Sequence, residues 1–501
     1  MAAPYPAPMP ASPRVRIVTA TSLFDGHDAS INIMRRILQS RGAEVIHLGH
    51  DRSAFEIAEA AVEEDAHAVA VTSYQGGHME FFGYLRSLLD EMGGSTIRVF
   101  GGGGGTILPE EGDALAAAGI ARIYSPDDGR HLGLTGMIDD LLEHAAHAQR
   151  LPETGVVDAV ADRDRAMIAR AITAFENEPD AHREVRTRLR ELADASDAPV
   201  VGFTGTGGAG KSSILDELVL RFRRDHPNRR VAVLSVDPSR RRSGGALLGD
   251  RIRMNAVSGD QTYMRSLATR QANLAMSPHV ADAVTVAKAA GFDLIFLETS
   301  GIGQSDTEIV DASDVSVYVM TPDYGAATQL EKIDMLDFAD VIAINKSDRR
   351  GAEDALRDVR KQYKRNRELF EASDGELPII ATIASQFNDS GTHQLYERIM
   401  AAVVERAPAR FSDVERREGR ALTGPLVPRD RTRYLSEIAD VVRSYNAATD
   451  DAARIASDVQ ALTRSAELGV GGTEPMVSDL AERLPDDIIS GLDGWEAERA
   501  R

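Results

Sequence analysis

The chain has no cysteine, a single tryptophan and only 5% aromatic residues. Without a thiol there is no disulfide, no thiolate metal site and no cysteine nucleophile, which suits a reducing cytoplasm, where we expect the protein. Basic charge is also scarce: 57 Lys and Arg stand against 78 Asp and Glu, for a formal charge of −21. Nucleic-acid binders neutralise phosphates with a basic surface, so no nucleic-acid partner is expected. No run reaches the roughly 18 apolar residues that span a bilayer, so no membrane partner is expected either. The first thirteen residues, rich in Ala and Pro, lack the basic start and apolar core of a signal peptide. They read as a disordered leader.

What is present is 43% hydrophobic and 27% charged, as in soluble globular proteins, and 501 residues exceed one ordinary core. The expected division is a leader over 1–13, a first domain over 14–150, a helical linker over 151–198, a second domain over 199–406 and a helical tail over 407–501.

The most specific local signal is Gly205-Thr-Gly-Gly-Ala-Gly-Lys211-Ser212, which fits G-x-x-x-x-G-K-[ST]. A short apolar run, Val200 to Phe203, precedes it and a helical pattern, Ser213 to Phe222, follows. In such a strand–loop–helix the glycines let successive backbone N–H groups converge on phosphate oxygens. Gly205, Gly207, Gly208, Ala209 and Gly210 form the candidate cradle, continued by Ser213. Lys211 is suited to neutralise the β- and γ-phosphates, and the Ser212 hydroxyl to complete a Mg²⁺ shell.

Further runs end in chemically useful residues. Val231–Val236 leads to Asp237, an acid at a strand's carboxyl end, where Mg²⁺ or its water is commonly held. Arg240 to Arg253 mixes glycines, arginines and Asp250, which reads as a mobile switch segment. Leu294–Leu297 leads to Glu298-Thr299-Ser300-Gly301, with the acid in the Walker-B position and Gly303, Gln304 and Ser305 continuing the loop. Val341–Ile344 leads to Asn345-Lys346-Ser347-Asp348. The carboxylate of N-K-x-D accepts from guanine N1–H and the exocyclic amine, a donor pair adenine lacks, so GTP is expected over ATP. Ala384-Ser385 fits the last guanine-contacting loop. No Gln stands in a D-x-x-G-Q context, so no residue is assigned to position the hydrolytic water.

The first domain alternates apolar runs (Val15–Ala20, Val45–Leu48, Ala68–Ser73, Ile97–Phe100, Arg122–Tyr124) with helical patterns, which predicts a flavodoxin-like, doubly wound parallel α/β sheet. Asp25-Gly-His27 follows the first run, Ser73-Tyr74-Gln75 the third, and five glycines, Gly101 to Gly105, the fourth. Ligands bind such sheets beyond the carboxyl ends of the strands. By itself Asp-x-His reads as an ordinary surface loop, since the chain has 12 histidines. The glycine run is more telling, each glycine losing about 0.5–1 kcal/mol in backbone entropy within regular structure, and a ligand that approaches the backbone closely explains it. A receiver-like domain would want an Asp where Ser73 stands.

With these residues the first domain resembles the cobalamin-binding domains of acyl-CoA mutases and methionine synthase, with their D-x-H-x-x-G, S-x-L and G-G motifs. The resemblance implies that His27 is the lower axial ligand to cobalt, that Asp25 orients its imidazole, and that Ser73, Gly102 and Gly103 line the slot for the displaced dimethylbenzimidazole tail. Ser30 replaces the motif's Gly and Gln75 its Leu, changes expected to narrow or repolarise that slot. The second domain resembles the metallochaperone GTPases that serve cobalamin mutases. On that likeness Ser212, Asp237, Asp250 and Glu298 share the Mg²⁺ region with Thr299 adjacent, and Lys211 and Arg253 face phosphates, with slow intrinsic hydrolysis switched by a partner.

The whole arrangement is similar to the amino-terminal part of the fused isobutyryl-CoA mutases, which implies adenosylcobalamin, GTP and Mg²⁺ as cofactors. It also implies an acyl-CoA-binding barrel, in cis or as a separate subunit, an adenosyltransferase as a further partner, homo-oligomerisation, and isobutyryl-CoA/n-butyryl-CoA interconversion with the barrel. After the tail no room remains for a barrel of about 250 residues, so the barrel is expected in another subunit or in a longer protein. A ligand-sensing regulatory GTPase without a mutase partner is the alternative reading.

Overall fold

The computed structural model describes residues 14–147, 150–240, 243–270, 276, 279–301, 307–324, 330–411 and 434–500. The leader, Arg241, Arg242 and Gly303–Ser305 lie outside them. The chain divides into two compact units, Met1–Leu422 and Thr423–Arg501.

The first unit is built on two parallel sheets. In the first, β1 (Arg16–Ser22), β2 (Glu44–Arg52), β3 (Ala68–Thr72), β4 (Arg98–Gly102) and β5 (Arg122–Tyr124) take the doubly wound order β5-β4-β3-β1-β2. β1 and β3 are buried along their whole length, because helices cover both faces, and they read as continuous runs rather than alternating ones. Ser53 with Glu56 and Ser125 with Asp128 close capping boxes that start two of the covering helices, Ala54–Glu63 and Pro126–Ala145.

The second sheet contains β6 (Val200–Gly205), β7 (Val231–Asp237), β9 (Thr262–Ala268), β10 (Leu294–Glu298), β11 (Val315–Met320), β12 (Val341–Ile344) and β13 (Ile379–Ala381), in the order β13-β12-β11-β6-β10-β7-β9. β6 lies at its centre, so the loop leaving it opens at the middle of the sheet edge.

A strand the sequence reading did not contain, β8 (Ala246–Leu248), lies in the segment read as a mobile switch. It joins the first sheet, not the second, pairing parallel to β2 with Glu44↔Ala246, Val45↔Leu247 and Ile46↔Leu248. Ala246, Leu248 and Ala268 thereby enter the apolar core on one face of the first sheet.

The stretch between the domains is not the solvated helix pair that its charge suggests. It forms three helices, Val156–Ala161, Arg165–Asn177 and Arg183–Asp194. Ile168, Ile172, Phe175 and Leu189 are buried in a core shared with β6, β7 and β10. Its arginines turn inward to acids: Arg165 to Glu59 and Glu63, Arg170 to Asp65, Arg186 to Asp282. A buried ion network continues from there, with Arg16 and Arg270 on Glu44, Arg265 on Glu176 and Arg251 on Glu63.

In the second unit one 34-residue helix, Tyr434–Glu467, runs through what reads in the sequence as two helical patterns, near Tyr434–Tyr445 and Ala452–Leu468. Neither Gly nor Pro interrupts them. Two more helices, Glu474–Ala481 and Asp486–Arg499, occupy the end that reads as poorly patterned. Among the described residues no helix is long and apolar enough to cross a membrane.

Candidate functional site

The loop after β6 has the backbone its sequence demands. Gly208 (φ 75°) and Gly210 (φ 95°) take the left-handed conformation, and a Cβ on Gly205 would overlap the Val319 carbonyl oxygen on β11. The helix Lys211–Asp225 starts at Lys211, whose buried ammonium donates to Gly205 O at 3.1 Å. Gly301 presses on the same ammonium, since a Cβ there would overlap Nζ.

Ser212 brings two of the acids together: its Oγ lies 3.0 Å from Asp250 Oδ1 and 2.9 Å from Glu298 Oε1. A hydroxyl carries one proton, so it cannot donate to both carboxylates at once. Asp237 completes the group, accepting the Gly249 N–H at 2.9 Å. Burial raises the pKa of all three acids, and the charge of Asp250 raises Asp237 and Glu298 further. Crowded carboxyls pushed upward by burial and by one another are what a divalent cation would relieve. Arg253 is near enough for its charge to oppose the rise at Asp237 and Asp250.

Thr299, next to Glu298, donates its hydroxyl to Thr204 Oγ1 at 2.9 Å. Among the described residues no three His, Cys, Asp or Glu side chains already stand in a ligating cluster.

Asn345 fastens the guanine-type loop to the phosphate-type loop. Its Nδ2 donates to Ala209 O at 2.8 Å, and its Oδ1 accepts from Ala384 N at 3.1 Å. Lys346 Nζ donates to Gly208 O at 2.6 Å. Asp348 and Ser385 are exposed beside these loops, with their side chains toward solvent. Ser213, on the first turn of the helix, is half-buried.

On the first sheet His27 lies between β1 and the helix Asp28–Ser40. Its Nδ1 is 2.7 Å from Asp25 Oδ1, while the side chain is 74% exposed. An Nδ1–H donated to the carboxylate leaves the Nε2 lone pair directed outward, an arrangement suited to ligating a metal. Asp25 itself is buried and also accepts Tyr74 N at 2.5 Å and His27 N at 2.9 Å. Burial alone would raise its pKa, but these hydrogen bonds outweigh it and hold the carboxyl below the usual range.

Beside this pair a cavity of about 290 Å³ opens, walled by Ile31, Met34, Leu38, Phe100, Met137 and Leu141. Ser30 lies on its wall with Oγ 2.8 Å from Tyr74 Oη. Gln75 does not reach the cavity: its Oε1 accepts Gly77 N and its Nε2 donates to Leu23 O, so it cannot repolarise the slot.

Ser73 and Gly103 also differ from expectation. The Ser73 hydroxyl is buried and accepts from Ser22 Oγ, so it does not line the cavity. A Cβ on Gly103 would overlap the Ser73 carbonyl oxygen, and one on Gly101 would overlap the Phe82 ring. Internal packing therefore explains part of a glycine run that a ligand was expected to explain. Gly101, Gly102 and Gly104 do line the cavity.

Sheet order, phosphate-type loop and histidine loop together define a two-part protein, a P-loop GTPase joined to a B12 binding domain. The family model for the B12 binding domain matches residues 15–127, and that for the methylmalonyl Co-A mutase-associated GTPase MeaB matches residues 168–423. The chain belongs to the MeaB family of GTPases. It is 51% identical over 474 residues to the fused isobutyryl-CoA mutase of Cupriavidus metallidurans, covering 93% of this chain and 43% of that protein. It is 54% identical over 460 residues to that of Nocardia farcinica, covering 90% and 42%, and 47% identical over 509 residues to that of Geobacillus kaustophilus, covering 97% and 46%. The chain thus spans less than half the length of these relatives.

Proposed function

We propose that this chain is the cobalamin-carrying, GTP-hydrolysing portion of an adenosylcobalamin-dependent acyl-CoA mutase, with the GTP state gating cofactor loading and integrity. The observation that carries this reading is the outward Nε2 of His27, fixed by buried Asp25, in one compact unit with the phosphate-type loop. The cofactor, when bound, supplies the radical chemistry of the isomerisation. His27 holds the cobalt, Asp25 fixes its tautomer, and the apolar cavity takes the displaced base. Ser30, hydrogen-bonded to Tyr74, narrows the mouth of that cavity.

In the GTPase portion the Gly205–Gly210 amides and Lys211 bind phosphates, joined by Arg253. Ser212, Asp237, Asp250 and Glu298 hold Mg²⁺ directly or through water. Asn345 and Lys346 join the two loops, Asp348 reads guanine, and Ser385 approaches the base. The acyl-CoA, on the likeness to the fused mutases, is isobutyryl- or n-butyryl-CoA, bound by a barrel in cis or in trans. An adenosyltransferase as cofactor donor, homo-oligomerisation and a cytoplasmic location belong to the same reading.

The test is spectroscopic. Purified protein is expected to take up adenosylcobalamin with a change to the base-off, histidine-bound spectrum, and His27→Ala to lose that change. Uptake with an unchanged spectrum, indifferent to His27→Ala, would refute the carrier role. GTP turnover measured alongside reports the second half independently.

A further inference from the structure

We propose that Asp51, at the carboxyl end of β2, is a positioning residue that ties the His27 loop to the nucleotide site. The proposal rests on the reading of the two sites given above. Asp250, next to Ser212, opens a tight helical turn, Arg251–Arg253, directly after β8. That turn sits on the end of β2. Ile252 O accepts Arg52 Nη2 at 3.3 Å, and a Cβ on Gly49 (φ 85°) would come within 2.9 Å of Ile252 Cδ1. Between Gly49 and Arg52 the register with β1 slips, and Asp51 takes φ 57°. Its Oδ1 accepts the N–H of Phe24 at 2.7 Å. Phe24 is itself at φ 63°, a left-handed conformation uncommon for a bulky side chain, and is 85% exposed. The next residue is Asp25, which holds His27.

Four contacts therefore lead from an acid of the nucleotide site to the imidazole, all through the end of one strand. Two facing residues in the left-handed region, joined by one hydrogen bond, form a local arrangement that its surroundings must hold in place. A shift of the Asp250 turn moves Ile252 against Gly49 and Arg52, and Asp51 carries that movement to Phe24. Asp51 belongs to neither of the two sites described above, so its action is on the coupling between them, and that coupling is reciprocal.

The experiment measures cobalamin affinity of the full chain, from the base-off spectral change, with a non-hydrolysable GTP analogue and with GDP. The ratio of the two affinities is expected to differ from one by about fivefold or more in the unaltered protein. Asp51→Ala, which removes the acceptor, is expected to bring the ratio close to one without changing the unstimulated rate of GTP hydrolysis. Ile252→Ala should likewise bring the ratio close to one from the nucleotide side, read from the ratio alone because its turn carries Asp250 and Arg253. Asp51→Asn keeps an acceptor oxygen and tolerates the left-handed backbone, so it should retain the ratio, which separates positioning from general loss of structure. A ratio of one in the unaltered protein, or one unmoved by both alanine variants, overturns the proposal while leaving the two-site reading intact. Failure to bind any cobalamin, or any guanine nucleotide, overturns that reading and the proposal with it.

Discussion

At Gly103 one absent methyl group decides how the third and fourth strands end together. A Cβ there would overlap the Ser73 carbonyl oxygen, whereas one on Gly105 meets nothing within 4 Å. Gly103→Ala is therefore expected to destabilise the protein by about 3 kcal/mol or more and Gly105→Ala by little, as denaturant melts would show. From the sequence the five glycines are equivalent, and only the packing of Ser73 and Phe82 separates them. The nucleotide loops were more legible, because G-x-x-x-x-G-K-[ST] and N-K-x-D carry their geometry locally. Asn345 does connect the two loops, but its bond to Ala209 O is long-range and has no local sign. Asp348 offers the sharper functional test at this scale. Asp348→Asn turns one of the two acceptor oxygens that face the guanine donors into an NH₂ donor and is expected to weaken GTP about 100-fold. Xanthosine triphosphate, whose base presents a carbonyl where guanine has the amine, should lose less or gain. Competition titrations of the two nucleotides would decide it, and unchanged selectivity would remove the base-reading role from Asp348.

Charge was the most misleading signal at the scale of whole elements. The stretch that forms the helices Arg165–Asn177 and Arg183–Asp194 reads as solvated because charged residues recur through it, densely in the second helix, yet Arg165, Arg170 and Arg186 point at buried acids of neighbouring elements. Sequence reports that a helix is charged, but not whether its partner is water or a carboxylate elsewhere in the fold. The same helix carries Glu176 to Arg265, both fully buried, so the first domain, the connecting helix and β9 meet in one ion network. His67 lies at the edge of that network. Its Nδ1 accepts the Arg16 N–H at 3.1 Å, which requires a neutral ring, and burial pushes its pKa down to about 4, against a partial opposing effect of Asp65. Because the folded value lies below the ordinary 6.5, the unfolded chain takes up this proton first as pH falls. Stability contributed by neutral His67 is present above pH 6.5 and is lost as pH drops toward about 4. His67→Gln, which keeps an acceptor and cannot titrate, should flatten the unfolding free energy across that window. A slope unchanged by the substitution would assign the acid sensitivity to other groups.

Across the whole first unit the boundary between domains is not a linker but a shared sheet. β8 comes from the segment between Asp237 and Asp250, and its three residues complete the edge of the other domain's sheet. Three residues among glycines and arginines give no periodicity to read, and a strand whose partner lies some two hundred positions away has no local signature. The domain order and both sheets were legible because parallel strands buried on two faces leave continuous apolar runs. The way the domains interlock was not, because it rests on non-local pairing. Interlocking has a thermodynamic consequence. Ala246 is fully buried and its N–H donates to Ala43 O at 3.2 Å, so the first sheet's core is not complete without the other domain. Domains that share a core unfold together, while domains joined only by a flexible link unfold apart. Calorimetry of the full chain is therefore expected to show residues of the first unit melting in one cooperative transition. Ala246→Pro deletes the donor that meets Ala43 O, on the side of the strand that pairs with β2. That variant should split the transition in two, with the cobalamin-type domain melting first because its sheet edge has been opened. Two resolved transitions in the unaltered protein would mean that β8 docks without coupling the domains, and the strand would then be an edge cover rather than a joint.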